Sequence, residues 1–377
     1  MMKRAQILKP CESLAIDTVA VPVAPPKGLV VKTAFGGICH SDLHQWENEI
    51  RQGSEGVLRY TDNPFYKLPV VPGHEISGVV YSMGSESETG DAKLEIGDEV
   101  VIYPWIGCAN CNYCNFGDNN LCLSKHLWLG NVRPGGYASF VVIPERKFAI
   151  KIPKSIPLDV ACMLSCSCLT TYNAVIKAKL TIEKATSRNG KANVLIIGAG
   201  GLGLWSIQMA KHILPKSTTI TVADINEEKL QIARDRGCHL TLCWPSSLTD
   251  NEAIAQAMKN GGYDAIIDFV NTSKTSNRAF RCLGMEGKLV MVGLFGGQAN
   301  YSLPGMIFGA KTVQGVVVGT LQTMKDMINL VAKEKLIPPP MKYFQLEEIT
   351  DALNLIKDGK LNGRGIINFS SSGSHHL

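Results

Sequence analysis

The sequence predicts an α/β protein in which a β-rich domain precedes a doubly wound parallel sheet. Three observations carry this. Strand and helix patterns alternate from residue 193 to residue 318, and the first of those strands runs into a glycine-rich turn. Residues 3 to 35 instead alternate short apolar runs with Pro22, Pro25, Pro26 and Gly28, the punctuation of β structure. At 377 residues the chain is too long for one small core, so two domains are expected.

Composition excludes several classes of function. Hydrophobic residues make up 45% and charged residues 19% of a chain with net charge +5, an ordinary balance for a globular protein. No Lys/Arg-rich run is interleaved with aromatic residues, so nucleic-acid binding is not supported. No apolar run reaches about 18 residues, and Met1 to Arg4 is followed by too little hydrophobic sequence for a signal peptide. Twelve cysteines without a secretory signal are expected to be thiols of a cytoplasmic protein, some of them metal ligands.

The stretch Gly36 to His44, GGICHSDLH, leaves the apolar run Leu29 to Ala34 and so falls at a strand-to-helix corner. Cys39, His40, Ser41, Asp42 and His44 there include a thiol, a hydroxyl and two imidazoles, a set able to bind a metal and lead a proton from it. A cysteine and two histidines in one turn are more often structural, so partners elsewhere must decide. Gln45 to Lys67 is polar, holds Gly53, Gly56 and Pro64, and reads as a long loop with one helical turn that shapes a pocket. Val70 to Tyr81 reads as a strand interrupted by Gly73, His74 and Glu75. A buried strand histidine is usually hydrogen-bonded core; here it is also a candidate partner for Cys39.

Cys108, Cys111, Cys114 and Cys122 have the spacing C-x2-C-x2-C-x7-C. Four such thiolates close a tetrahedral shell at about 2.3 Å per Zn–S bond. An iron–sulfur cluster is the competing reading, disfavoured because no further Cys or Pro completes a ferredoxin-type run. A closed shell leaves no place for substrate, so this metal is structural. Residues 136 to 150 read as two strands around Pro144. Leu158 to Ala178 is helix-like and carries Cys162, Cys166 and Cys168, which suit small buried positions.

Asn193 to Ile197 is a buried-strand pattern followed by Gly198-Ala199-Gly200-Gly201-Leu202-Gly203 and an apolar helix, Leu204 to Ile213. In that context the glycines form a dinucleotide-binding turn, with a pyrophosphate at the helix N-terminus. The next strand, Thr219 to Ala223, ends in Asp224, whose carboxylate accepts from a ribose and repels a 2′-phosphate, favouring NAD over NADP. Runs at 240–244, 264–270, 288–294 and 313–318 bring the strands to six. Helical runs Thr323 to Glu334 and Leu346 to Lys357 follow, and Ser370 to Leu377, SSSGSHHL, reads as a disordered tail whose histidines are not ligands.

Taken together, Gly37 to His44, Gly73-His74-Glu75, the four-cysteine lobe and Gly198 to Gly203 closely resemble the zinc-containing medium-chain alcohol dehydrogenase family, in the family's order and over residues 5 to 369. The resemblance implies a β-rich GroES-like catalytic domain, residues 1–167 and 317–377, with its zinc lobe at 104–126, around a Rossmann coenzyme domain, residues 168–316. It implies two zinc ions per subunit: a catalytic one on Cys39, His74 and Cys166, with Glu75 and Asp42 behind the ligands, and a structural one on the four lobe cysteines. Cys166 is chosen by a C-x5-Y match to Tyr172, with Cys168 the alternative.

By the same matching, Ser41 accepts the alcohol proton and His44 ends the relay. His40 and Arg364 face the pyrophosphate, Thr170 and Leu202 pack the nicotinamide, and Asp224 and Lys229 hold the adenine ribose. Trp105 and Trp128 wall the substrate slot. The implied activity is NAD-dependent interconversion of alcohols with aldehydes or ketones, in a homodimer or homotetramer. A polyol, amino-alcohol or aryl-alcohol dehydrogenase is the nearest alternative. A zinc-free reductase or a non-catalytic protein on the same fold is disfavoured because no ligand is missing.

Overall fold

The run Ala192–Ile197 is almost wholly apolar because it lies inside a sheet covered on both faces. The computed structural model, which describes residues 1–86, 93–259 and 261–370, places it in a six-stranded sheet. The strands run in the spatial order Leu240–Cys243, Thr218–Asp224, Ala192–Ile197, Tyr263–Asp268, Leu283–Met291, Thr312–Gly315. All pairings are parallel. The order reverses beside Ala192–Ile197, and there, outside the carboxyl ends of the strands, a doubly wound sheet forms its ligand crevice. The six strands are the six runs expected from the pattern.

A second sheet is organised on Leu29–Ile38. That strand pairs antiparallel with Glu75–Met83, with Phe140–Ile143 and with Arg364–Asn368. Glu99–Ile102, Ala149–Lys151 and Met341–Phe344 extend it to seven strands. The C-terminal segment therefore returns to the sheet that the N-terminal segment begins. Leu29–Ile38 can serve several neighbours because bulges at Val30/Val31 and Thr33/Phe35 re-aim it midway.

Helix Ser167–Asn189 packs against both the six-stranded sheet and helix Gly201–Ile213. Its N-terminal half is fully buried at Cys168, Leu169, Ala174, Val175 and Ala178. No single helix among the described residues is long and apolar enough to cross a membrane.

Three expectations change in detail. The strand leaving Leu29 runs on to Ile38, so the corner is tighter than the apolar run alone implied. His74 is not in a strand: Gly73 takes φ +89° and the strand begins at Glu75. Gln45 to Lys67 is less loop-like than expected, because Ile50–Arg51 pairs with Val57–Leu58, one 3-10 turn, Gly53–Glu55, joins them and a second, Tyr60–Asp62, follows. The expected tail lies, after Ser370, outside the described residues.

Asp268, at the carboxyl end of Tyr263–Asp268, is fully buried. Its Oδ1 accepts from the amides of Val270 and Asn271 at 2.9 and 2.8 Å, while Oδ2 has no partner. Burial pushes its carboxyl up from 3.8 to about 6 against those amide bonds. An acid raised in the folded state favours folding at low pH. As pH rises from 3.8 to about 6 the unfolded chain gives up this proton first, and stability is lost. Asp268→Asn is expected to remove about 3 kcal/mol of that decline. Urea denaturation of both proteins between pH 4.5 and 7 checks it: the gap should widen in the variant's favour as pH rises.

Candidate active site

The corner after Ile38 turns Cys39 into the end of helix His40–Glu47, where thiol and backbone face inward. Asp42, in the first turn, accepts from the Cys39 amide at 2.8 Å and from the Tyr137 hydroxyl at 3.0 Å through one carboxylate oxygen. Its other oxygen stands 3.2 Å from Nδ1 of His74. That contact orients the ring so that Nε2 faces the thiols. Ser41 Oγ lies 3.4 Å from the same Nε2. Cys166 arrives from the other side, immediately before helix Ser167–Asn189. The ligand atoms of Cys39, His74 and Cys166 all lie within 4.8 Å of one another, and all three residues are buried.

The electrostatics of this trio fit a divalent cation. The hydrogen bond from Cys166 holds the Cys39 thiol well below the ordinary thiol range despite burial. The same bond, with burial, pushes the Cys166 thiol well up. Burial would lower the His74 pKa, but the charge of Asp42 and its hydrogen bonding raise it well above the usual imidazole value. Two buried sulfurs and one imidazole thus share protons that a cation would displace. Two thiolates and an imidazole are also a donor set that leaves a fourth position of a tetrahedral ion open.

Glu75 does not touch the His74 ring. Its carboxylate accepts two bonds from Arg364, at 2.9 and 2.5 Å, and one from the Ser167 amide at 2.8 Å. Of the two carboxylates expected behind the ligands, Asp42 is the one that orients His74, because Nδ1 points that way. Cys168, the alternative thiol, is buried against Met327 Sδ at 3.4 Å.

On the facing wall, Gly198 takes φ +98° and donates to the Ala223 carbonyl at 2.7 Å, closing the turn after Ala192–Ile197. A β-carbon at Gly203 would fall on the Gly198 carbonyl, so helix Gly201–Ile213 can start only with glycine there. Gly200 has open space around it, as a backbone meant for a ligand requires. Asp224 Oδ2 accepts from the Ala199 amide at 2.7 Å and Oδ1 from the Asn226 amide at 2.9 Å. Lys229 Nζ reaches the Gly359 carbonyl at 3.3 Å. Arg364 lies beside the turn: a β-carbon at Gly201 would stand 3.6 Å from Arg364 Cδ. Its fork, however, is spent on Glu75.

Thr170 Oγ1 stands 4.0 Å from Cys166 Sγ, and the Leu202 carbonyl accepts from Thr171 Oγ1 at 3.2 Å. His44 is buried with Nε2 unpartnered, and burial lowers its pKa; burial and the neighbouring His44 push His40 down to about 4. The Trp105 ring lies 5.3 Å from that of His74 and 5.1 Å from that of Trp128, and its indole donates to the Ser165 carbonyl at 2.9 Å. Tyr137, Phe295 and Ser167 were not singled out from sequence. Their contributions are one hydroxyl, one ring and one amide, with no motif to flag them.

The lobe cysteines form the second cluster, again with ligand atoms within 4.8 Å of one another. The Cys111 amide donates to Cys108 Sγ and the Cys108 amide to Cys122 Sγ, each at 3.3 Å. Amide donors lower Cys111 to about 6, while burial raises Cys114 to about 12. None of the twelve cysteines is in a disulfide.

A glycine turn of the dinucleotide-binding kind near a buried trio that could hold a metal ion points to the metal-assisted, dinucleotide-dependent oxidoreductases. Residues 25–154 match the family model for the alcohol dehydrogenase GroES-like domain, and residues 201–333 that for zinc-binding dehydrogenases. The chain belongs to the zinc-containing medium-chain dehydrogenase family. A relative from Saccharolobus solfataricus, an NAD-dependent alcohol dehydrogenase, is 34% identical over 97% of this chain and 99% of its own. Another NAD-dependent alcohol dehydrogenase, from Sulfurisphaera tokodaii, is 35% identical over 92% and 94%. The crystal structure of an alcohol dehydrogenase from Aeropyrum pernix superposes with a TM-score of 0.82 at 26% identity, covering 97% of this chain and 99% of that one.

Cys39→Ser should lose the metal of the buried trio and retain that of the lobe. Elemental analysis is expected to fall from about two zinc ions per chain to about one, with the fold retained by circular dichroism; loss of both would contradict two independent sites.

Proposed function

We propose that this chain interconverts alcohols with aldehydes or ketones by hydride transfer to and from NAD. The observation that supports it best is the buried trio Cys39, His74 and Cys166, with Ser41 Oγ 3.4 Å from His74 Nε2. When bound, zinc on these three side chains supplies a Lewis acid for the substrate oxygen, and NAD supplies the hydride acceptor. Ser41 takes the alcohol proton and His44, kept neutral by burial, receives it. The turn Gly198 to Gly203 binds the pyrophosphate through its amides, with His40 beside it, while Thr170 and Leu202 pack the nicotinamide. Asp224 and Lys229 hold the adenine ribose. The second zinc, on Cys108, Cys111, Cys114 and Cys122, folds the lobe. Trp105 and Trp128 exclude water from one wall of the slot, which favours simple and aryl alcohols over polyols.

We take residues 1–167 with 317–377 as the catalytic unit and 168–316 as the coenzyme unit, in accord with the two sheets. The test follows nicotinamide absorbance while zinc-loaded protein with NAD is offered primary, secondary, aryl and polyhydroxy alcohols. Simple and aryl alcohols are expected to react; reaction with polyols alone would move the substrate class and leave the metal chemistry standing. Asp224→Gly should relax the coenzyme preference, raising the NADP/NAD ratio of kcat/KM by about tenfold or more. An unchanged ratio would remove Asp224 from the ribose.

The same reading includes a homo-oligomer. Thr312–Gly315 is an open sheet edge, and the adjoining helix Leu303–Phe308 exposes Leu303, Ile307 and Phe308. Such an edge with an apolar flank suits pairing with a second copy. Phe308→Asp is expected to shift the protein toward monomer in light scattering.

A further inference from the structure

Asparagine followed by glycine is the pair most prone to spontaneous loss of ammonia, because glycine has no side chain to keep its amide nitrogen from the asparagine carbonyl. The chain has three such pairs, Asn189-Gly190, Asn260-Gly261 and Asn362-Gly363. In two of them the attacking nitrogen is engaged. The Gly190 amide donates to the Thr186 carbonyl at 2.8 Å, and the Gly261 amide to that of Met258 at 3.0 Å. Among the described residues the Gly363 amide has no such acceptor. Asn362 is half-buried, within reach of water, in the connection between helix Ile349–Lys357 and strand Arg364–Asn368.

The surroundings of this pair make its chemistry consequential. Gly363 takes φ +93°, and a β-carbon there would fall on the Pro340 carbonyl, so the second member of the pair must be glycine. The Arg364 amide donates to the same carbonyl at 2.8 Å. On its other side the Gly363 carbonyl stands 3.2 Å from where a Gly201 β-carbon would be, at the start of helix Gly201–Ile213. An isoaspartate at position 362 would run the main chain through its side chain and lengthen it by one methylene. A segment pressed from both sides cannot absorb that without moving Arg364, whose guanidinium holds Glu75. Aspartate or isoaspartate also sets a new carboxylate near a turn suited to an anion, and like charges repel.

We propose that Asn362-Gly363 is a site of spontaneous self-modification whose products weaken coenzyme binding as the protein ages. The Gly363 nitrogen gives its proton to hydroxide and attacks Cγ of Asn362. The new bond closes a five-membered imide, the bond from Cγ to the side-chain nitrogen breaks, and ammonia leaves after taking a proton from water. A water molecule then opens either carbonyl of the imide, giving aspartate or isoaspartate, so that the net change is one water consumed and one ammonia released. The effect on binding rests on the coenzyme reading above; the modification does not.

The test ages zinc-loaded protein in mildly alkaline buffer and samples it for peptide mapping by mass spectrometry and for NADH affinity by fluorescence titration. Asn362 is expected to gain about one mass unit, as the side-chain amide becomes a carboxylate, ahead of Asn189 and Asn260. NADH affinity should fall in step. In fresh protein, Asn362→Asp should weaken NADH by roughly three- to tenfold, the effect of one added like charge. Asn362→Gln, whose longer side chain closes a ring far more slowly, should start at wild-type affinity and keep it. Asn362 still intact after Asn189 or Asn260 has converted, or Asn362→Gln losing affinity as fast as wild type, would overturn the proposal. Fresh wild-type protein that takes up neither NADH nor NADPH would overturn the coenzyme reading and the link to binding, while the peptide map decides the modification by itself.

Discussion

One buried carboxylate, Glu75, is the point on which the site's three ligand segments converge. It follows His74 directly in the chain. It accepts the amide of Ser167, the residue after Cys166, at 2.8 Å. A β-carbon at Gly37, two residues before Cys39, would fall on its Oε2. Its charge is met by Arg364, which is nearly as buried. Burial raises the Glu75 pKa while Arg364 draws it back down, and the pair is stable only as a pair. Removing either partner of such a bridge typically costs about 3–5 kcal/mol, because the other charge is stranded. The pair therefore bears on geometry more than it adds stability: it ties together the segments that carry Cys39, His74 and Cys166.

Arg364 carries the constraint across the cleft. It begins the strand Arg364–Asn368, which pairs with Leu29–Ile38, so it is delivered by the C-terminal return of the chain. Its neighbour Gly363 crowds the glycine turn, with the Gly363 carbonyl 3.2 Å from where a Gly201 β-carbon would stand. The metal ligands, the phosphate turn and the closing strand are thus in contact through a few ångströms of buried structure. The Arg364 guanidinium, expected to face the pyrophosphate, gives Nε and one terminal nitrogen to Glu75 and keeps its other terminal nitrogen for an anion.

How much of this the sequence disclosed follows from the range of the forces involved. The inner strands Ala192–Ile197, Thr218–Asp224 and Tyr263–Asp268 were legible because they bury apolar runs, and Gly198 to Gly203 because steric exclusion at Gly203 admits one residue type. The lobe was legible because thiolate chemistry imposes close spacing. The trio Cys39, His74 and Cys166 spans more than a hundred residues, and local pattern alone left it open; the resemblance to a family supplied it. Contacts between segments without distinctive chemistry were not legible. Which of Asp42 and Glu75 orients His74 is decided by where one imidazole nitrogen points, and the hairpin at Ile50–Leu58 by only two short pairings.

The two clusters that could hold a metal ion offer different donors, and burial accounts for the difference. Three of the four lobe cysteines are partly exposed and the cluster accepts backbone amides, so four thiolates around a divalent ion, a net charge near −2, would be tolerated by water and dipoles. The trio is buried, where uncompensated charge is costly. Two thiolates and a neutral imidazole bring a divalent ion to net zero, and the flanking Glu75–Arg364 pair is also neutral. Asp42 is the remaining charge, and it is met by the Cys39 amide, the Tyr137 hydroxyl and the His74 ring. A third thiolate there would add a negative charge with nothing to meet it, and it would fill the position a substrate oxygen needs. Burial thus selects the mixed donor set, and the mixed donor set leaves room for chemistry.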